Sequence, residues 1–131
     1  HGVGNQHFIA LAQGAADGVV LPIGKLMVAG QIPDQDPQKK ELLAYIEDYT
    51  KKYGSPPNSF GGYAYDAFNL LLKAVEKGGA DRAAIRDQLE KMQGFVGVTG
   101  VFNLSAEDHN GLKEDSMVMV KIEDGKWKLI E

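Results

Sequence analysis

Side chains able to move a proton, attack a carbonyl or hold a metal are thinly spread in this sequence. Two of its three histidines fall inside the chain: His7 lies in a short helical pattern and His109 in the polar stretch Glu107-Asp108-His109-Asn110-Gly111. Neither has a carboxylate or a second histidine at metal-ligand spacing. Asp108, His109, Asn110 and Gly111 offer oxygen and nitrogen ligands but lack the downstream pattern of a calcium loop, and Asp and Asn side chains bonding their own backbone make such a stretch a turn. Ser55, Ser59, Ser105 and Ser116 have no nucleophile-elbow context. Asp66 is expected in the first turn of a helix, where free amides and the dipole account for an acid without proton transfer. In His1-Gly2-Val3-Gly4 the third glycine of a dinucleotide fingerprint is missing and no strand precedes it. These residues assign no catalytic group, metal or cofactor. A small α/β enzyme using His7 or His109 as an acid–base group stands as the catalytic alternative, and turnover lost on replacing either histidine would be its signature.

The richer stretch is Phe60-Gly61-Gly62-Tyr63-Ala64-Tyr65-Asp66-Ala67, which follows a Pro-Pro turn. Glycines between aromatic residues let another group approach the backbone closely. An aromatic residue just before a helix is one way to wall a small-molecule pocket, and it is equally a way to fill a core. Both readings of Phe60 and Tyr63 stay open on pattern alone.

Composition limits the partners. The 131 residues suit one ordinary domain, with 44% hydrophobic and 24% charged residues. A net charge of −4, with 14 basic residues spread along the chain, leaves no electrostatic footprint for nucleic acid. No apolar run approaches the length of a membrane span. The absence of cysteine excludes disulfides and thiolate metal sites without fixing a compartment. A chain that starts at His1 reads as a processed or excised piece.

The elements that must position these residues follow from periodicity. Residues Gln6 to Ala16 carry a short helical face, Asp17-Gly18 is a turn, and Val19 to Ile23 is a short buried strand. Gly24 to Gln35 lacks periodicity and reads as a crossing segment. Asp36-Pro37 opens a helix with the stripe Leu42, Ile46, Tyr49 and Tyr53, which Gly54 ends. The next helix holds Ala64, Ala67, Phe68, Leu71, Leu72 and Val75, a stripe broad enough to pack on a sheet or another helix, and stops at Gly78-Gly79. Asp81 caps a third, with Ile85, Leu89 and Met92 expected inside. Phe95 to Leu104 is β-rich with glycine punctuation. Met117 to Ile122 and Trp127 to Ile130 are strands joined by the hairpin turn Asp124-Gly125. The class is α/β: three central helices followed by a β-rich, hairpin-ending region.

The order of these motifs resembles periplasmic amino-acid-binding proteins of the branched-chain type, which are substrate-binding subunits of ABC transporters with the type I periplasmic-binding fold. The residues that carry the resemblance are His1-Gly2-Val3-Gly4-Asn5 through Gly18-Val19-Val20, Asp36-Pro37, Tyr53-Gly54, Phe60 to Ala67, Gly94 to Gly97, Gly100-Val101-Phe102 and Asp124 to Trp127. It spans essentially the whole sequence. It implies a fragment of a fold built from two Rossmann-like lobes, because a full family chain is about two to three times longer. Carried over, residues 1–30 and 107–131 belong to the C-terminal lobe and residues 31–106 to the N-terminal lobe, with crossings at Gly24–Gln35 and Glu107–Gly111. His1 falls where amino-acid binders of the family place a glutamate for the substrate ammonium, and an imidazole supplies no permanent negative charge. That departure leaves room for an aromatic or aliphatic carboxylate beside a branched-chain amino acid. Phe60 falls on an aromatic that touches the substrate side chain, with Tyr63 one step further on. The resemblance also implies export to the periplasm, a small-molecule ligand, and a membrane permease as partner. Open edges would be closed by the missing N-terminal part or a swapped copy. The same fold serves as a ligand-sensing domain of receptors and regulators, which is the alternative within the class.

Overall fold

In the computed structural model, residues 2–130 are described. They form four helices and five strands: α1 (Gln6–Ala12), β1 (Val20–Gly24), α2 (Lys39–Tyr53), α3 (Ser59–Gly78), α4 (Arg82–Glu90), β2 (Phe95–Val96), β3 (Val101–Phe102), β4 (Met117–Glu123) and β5 (Lys126–Leu129). Short 3-10 turns follow α1 and β1 and precede β4. The α/β order expected from the sequence is present, and its boundaries moved for identifiable reasons.

The first helix is shorter than expected. Asn5 caps it by accepting from the Phe8 amide at 2.9 Å, and from Gln13 the backbone leaves the α form, with φ 49° at that residue, and tightens into a 3-10 turn through Ala16. In α2 the expected start at Asp36 is half met. The Asp36 carboxylate accepts from the Gln38 amide at 2.9 Å, and the regular helix begins at Lys39. Gly54, in the left-handed region at φ 72°, stops it as expected. The largest shift is in α3. Its cap is Asn58, whose side chain accepts from the Gly61 amide, so Phe60, Gly61 and Gly62 lie inside the helix rather than before it. That puts Asp66 in the second turn, where free amides no longer explain it.

Strands β1, β4 and β5 make one antiparallel sheet with β4 in the middle, and β2 and β3 form a separate two-stranded ribbon. Register pairs Gly24 with Met117 and Val20 with Lys121, while Ile122 faces Trp127 across the hairpin. The turn residues Asp124 and Gly125 both have positive φ, 50° and 69°, as a tight two-residue hairpin requires. The core runs between the inner face of this sheet (Ile23, Val120, Ile122 and Trp127), the turn after β1 (Leu26 and Val28), and Leu42 and Tyr45 of α2. Helix α4 lies along α3 but buries none of its residues fully; Ile85 and Leu89, expected inside, are half-buried, and Met92 just past its end is buried.

Candidate functional site

The N-terminal half of α3 is held from three sides. Gly62 faces inward, and a Cβ there would lie 2.9 Å from Leu26 Cδ2 and 3.3 Å from Val98 Cγ2. The close approach that Gly61 and Gly62 allow is therefore made, at Gly62, by the protein itself. One turn on, Asp66 is 1% exposed. Its carboxylate accepts from the Val98 amide at 2.9 Å, the Thr99 amide at 2.7 Å and the Thr99 hydroxyl. Gly97 closes against it, since a Cβ there would sit 2.5 Å from Asp66 Oδ2. From the other side the buried Gln38 side chain donates to the Gly97 carbonyl at 2.9 Å. An anionic acceptor with several donors is a strong arrangement, and a buried carboxylate needs such donors to be tolerated. Asp66, Gln38, Gly97 and Thr99 are thus a scaffold. Sequence alone accounts for Asp66 by the helix dipole and gives Gln38, Gly97 and Thr99 no role; the available signal is an acid four residues after Gly62 and eight before Ala74, on the small-residue side of the helix.

That scaffold sets the aromatic residues above it. Phe60 and Tyr63 meet edge to face, with ring centroids 6.3 Å apart, and Phe60 remains 59% exposed. Tyr63 is more sheltered, and burial pushes its hydroxyl pKa above the usual 10.0. Tyr63 lines an open cleft of about 290 Å³ with Gly24, Thr99, Asn110, Ser116 and Met117. It also lines a second of about 220 Å³ with Asp66, Leu70 and Phe102. Both fall below the roughly 300–1,000 Å³ of a formed small-molecule pocket. The Ser59 hydroxyl donates to the Gly4 carbonyl at 3.5 Å, which brings the N-terminal glycine loop to the start of α3. His1 lies outside the described residues. Of the expected ligand-binding residues, the structure brings Phe60 and Tyr63 together and says nothing of His1.

The acid–base candidates do not converge on this place. His7 is exposed on α1. His109 is exposed in the turn after β3, with Nε2 3.2 Å from Glu90 Oε1 at the end of α4. That turn is built as expected from its own side chains, with Asp108 Oδ1 accepting from the amides of Asn110 and Gly111. Among the described residues no group of three His, Cys, Asp or Glu side chains could hold a metal ion, and no helix is long and apolar enough to cross a membrane.

This fold and this sequence match one family. The profile of the periplasmic binding protein family matches residues 2–126, and the chain belongs to that family. Its family and fold are those of solute-binding proteins rather than enzymes, and the family is an extracytoplasmic one. An extracellular ligand-binding receptor from Rhodopseudomonas palustris HaA2 superposes with a TM-score of 0.89 at 29% identity, over 99% of this chain and 38% of that one. An ABC transporter substrate-binding protein from Desulfitobacterium hafniense, in complex with Leu, matches with a TM-score of 0.62 at 26% identity, over 88% of this chain and 32% of that one. A leucine-binding protein from Thermotoga maritima MSB8 shares the fold, with a TM-score of 0.75 at 24% identity over 96% of this chain and 33% of that one. A comparison with curated proteins gave no match. The chain thus spans about 38% of the length of the receptor it resembles. The sequence-based expectation of a fragment of the type I periplasmic-binding fold agrees with these findings.

Proposed function

We propose that this chain is part of the solute-binding subunit of an ABC importer, working in the periplasm. Its ligand would be a branched-chain or other hydrophobic amino acid, or a related aromatic or aliphatic carboxylate. The observation that carries this reading is the exposed Phe60–Tyr63 edge at the start of α3, set by the Asn58 cap and the Asp66 scaffold. An uncharged aromatic wall suits an apolar ligand body. The two small clefts beside it are one side of a site, and the opposing wall and the carboxylate-binding groups come from the remainder of the protein.

The mechanism is closure of two hinged lobes over one small molecule, the closed form then docking on the permease. Residues 1–30 and 107–131 form one lobe and residues 31–106 the other. The Gly24–Met117 pair supports this, because it places the exit from the three-stranded sheet beside the return to it. Lys25 and Asp36, joined at 2.7 Å with both side chains largely sheltered, close the mouth of the first crossing.

The test is calorimetric titration of the complete polypeptide with leucine, phenylalanine and benzoate. Saturable one-to-one binding without turnover is expected for at least one of them. Phe60→Ala should weaken it at least tenfold, and Tyr63→Phe should weaken it less. Unchanged affinity in Phe60→Ala would remove the aromatic wall from the site.

A further inference from the structure

Helix α4 carries two pairs of side chains one helical turn apart on neighbouring ridges, Arg82 with Arg86 and Ile85 with Leu89. Its contact with α3 is made elsewhere, where a Cβ on Gly78 would lie 3.0 Å from the Ala84 carbonyl and from Gln88 Cγ. The two ridges instead face the chain that follows β3. With Glu90, Leu104 and His109 they line a cleft of about 360 Å³, within the roughly 300–1,000 Å³ of a formed small-molecule pocket. Its floor is apolar: Leu104 is buried, and Ile85 and Leu89 are half-buried. The wall opposite α4 is held by the protein's own bonds. The Leu104 amide donates to the Met92 carbonyl at 2.8 Å, and the Gln93 side chain donates to the Leu104 carbonyl at 2.6 Å. A pocket whose walls are fixed before binding loses little in ordering them. None of its lining residues lines the clefts beside Tyr63.

The charges at the rim do not cancel. Arg86 is paired with Asp87, and its Nε lies 3.9 Å from Glu90 Oε1. Glu90 also meets His109 Nε2 at 3.2 Å. Arg82 is exposed at the rim and has no hydrogen bond or ion pair with another described residue. Two arginines against one glutamate leave the lining with a single positive charge while His109 is neutral, on a chain whose net charge is −4. We infer that this cleft is a second binding site, for a small monocarboxylate with an apolar body. The Arg82 guanidinium presents parallel N–H donors that match the two oxygens of a carboxylate. The apolar body lies on Ile85, Leu89 and Leu104, which water otherwise covers in part. A bare inorganic anion would leave that floor wet, and an uncharged apolar molecule would leave Arg82 unused. One unmatched charge also suits a monoanion better than a doubly charged phosphate ester. The inference goes beyond the solute-binding reading and does not rest on it, since neither Phe60 nor Tyr63 takes part.

The test is methyl NMR of the complete polypeptide titrated with octanoate, read at Ile85, Leu89 and Leu104, so a ligand held beside Phe60 does not move the signals that count. Saturable shifts of these methyl groups are expected. Octanol, which lacks the charge, and acetate, which lacks the apolar body, should each bind more weakly by about tenfold or more. Arg82→Gln should weaken octanoate by about tenfold as well, and Arg82→Lys, which keeps the charge and loses the fork, should fall between it and the parent. Because Arg82 is exposed, both variants should keep the far-UV circular dichroism and melting of the parent. Lys77→Gln, which removes a cation of α3 outside the cleft, should leave octanoate binding unchanged. The inference is overturned if the three residues' methyl groups do not move, if octanol binds as tightly as octanoate, if Arg82→Gln binds like the parent, or if Lys77→Gln is equally damaging.

Discussion

Asp66 is the residue on which the Phe60–Tyr63 region depends. Its carboxylate satisfies two backbone amides and the Thr99 hydroxyl at a site where Asp66 itself is almost fully buried. Asp66→Ala leaves those donors unpaired and should lower stability by about 3 kcal/mol or more, read from the urea midpoint. Gly97→Ala pushes a methyl group into the same carboxylate and should cost about 1–3 kcal/mol. The tyrosines give a pH prediction. Burial raises the hydroxyl pKa values of Tyr45, Tyr63 and Tyr65 above 10.0, with neighbouring Tyr49 adding to Tyr45 and Glu41 to Tyr65. A raised acid is neutral in the folded state while already ionising in the unfolded one. The stability it contributes is therefore full below pH 10 and lost as pH rises through the folded values. Absorbance at 295 nm should titrate later in the folded chain than in urea, and Tyr45→Phe should narrow the gap.

At the level of elements, caps decide where the aromatic pair stands. Asn58 fixes the first turn of α3 through the Gly61 amide, so Asn58→Ala should cost about 1 kcal/mol in urea unfolding. It should also loosen Phe60 relative to Tyr63, visible as faster amide exchange at Gly61 and Gly62. The crossing after β1 is anchored on both sides. The Gln31 side chain donates to the Trp127 carbonyl at 2.9 Å and accepts from the Leu129 amide at 2.8 Å, pairing with β5 as a strand would. Gln38 holds the other side through Gly97. Helix boundaries set by Gly54 and by the Asp81 cap were readable because local chemistry alone fixes them. Sequence alone places Phe60 just before α3 because it follows a Pro-Pro turn and precedes two glycines, whereas Asn58 caps the helix directly after that turn and takes Phe60, Gly61 and Gly62 into it.

For the molecule as a whole, a three-stranded sheet packs its inner face (Ile23, Val120, Ile122 and Trp127) on Leu42 and Tyr45 of α2, while Phe60, Phe68, Leu71 and Leu72 on α3 stay exposed. Sequence by itself determined the α/β class, the hairpin at Asp124-Gly125, the order of helices and the family, because turn chemistry, periodicity and motif order are local or linear properties. It also singled out Phe60 and Tyr63, because aromatic residues around paired glycines are conspicuous. Only the tertiary structure decided what the glycines admit, which acid is buried, and which face of α3 is left uncovered. Those depend on side chains far apart in sequence, Asp66 with Thr99 and Gly62 with Leu26. A stripe of apolar residues shows that a face needs a partner, and only the packed fold shows whether its own chain provides one.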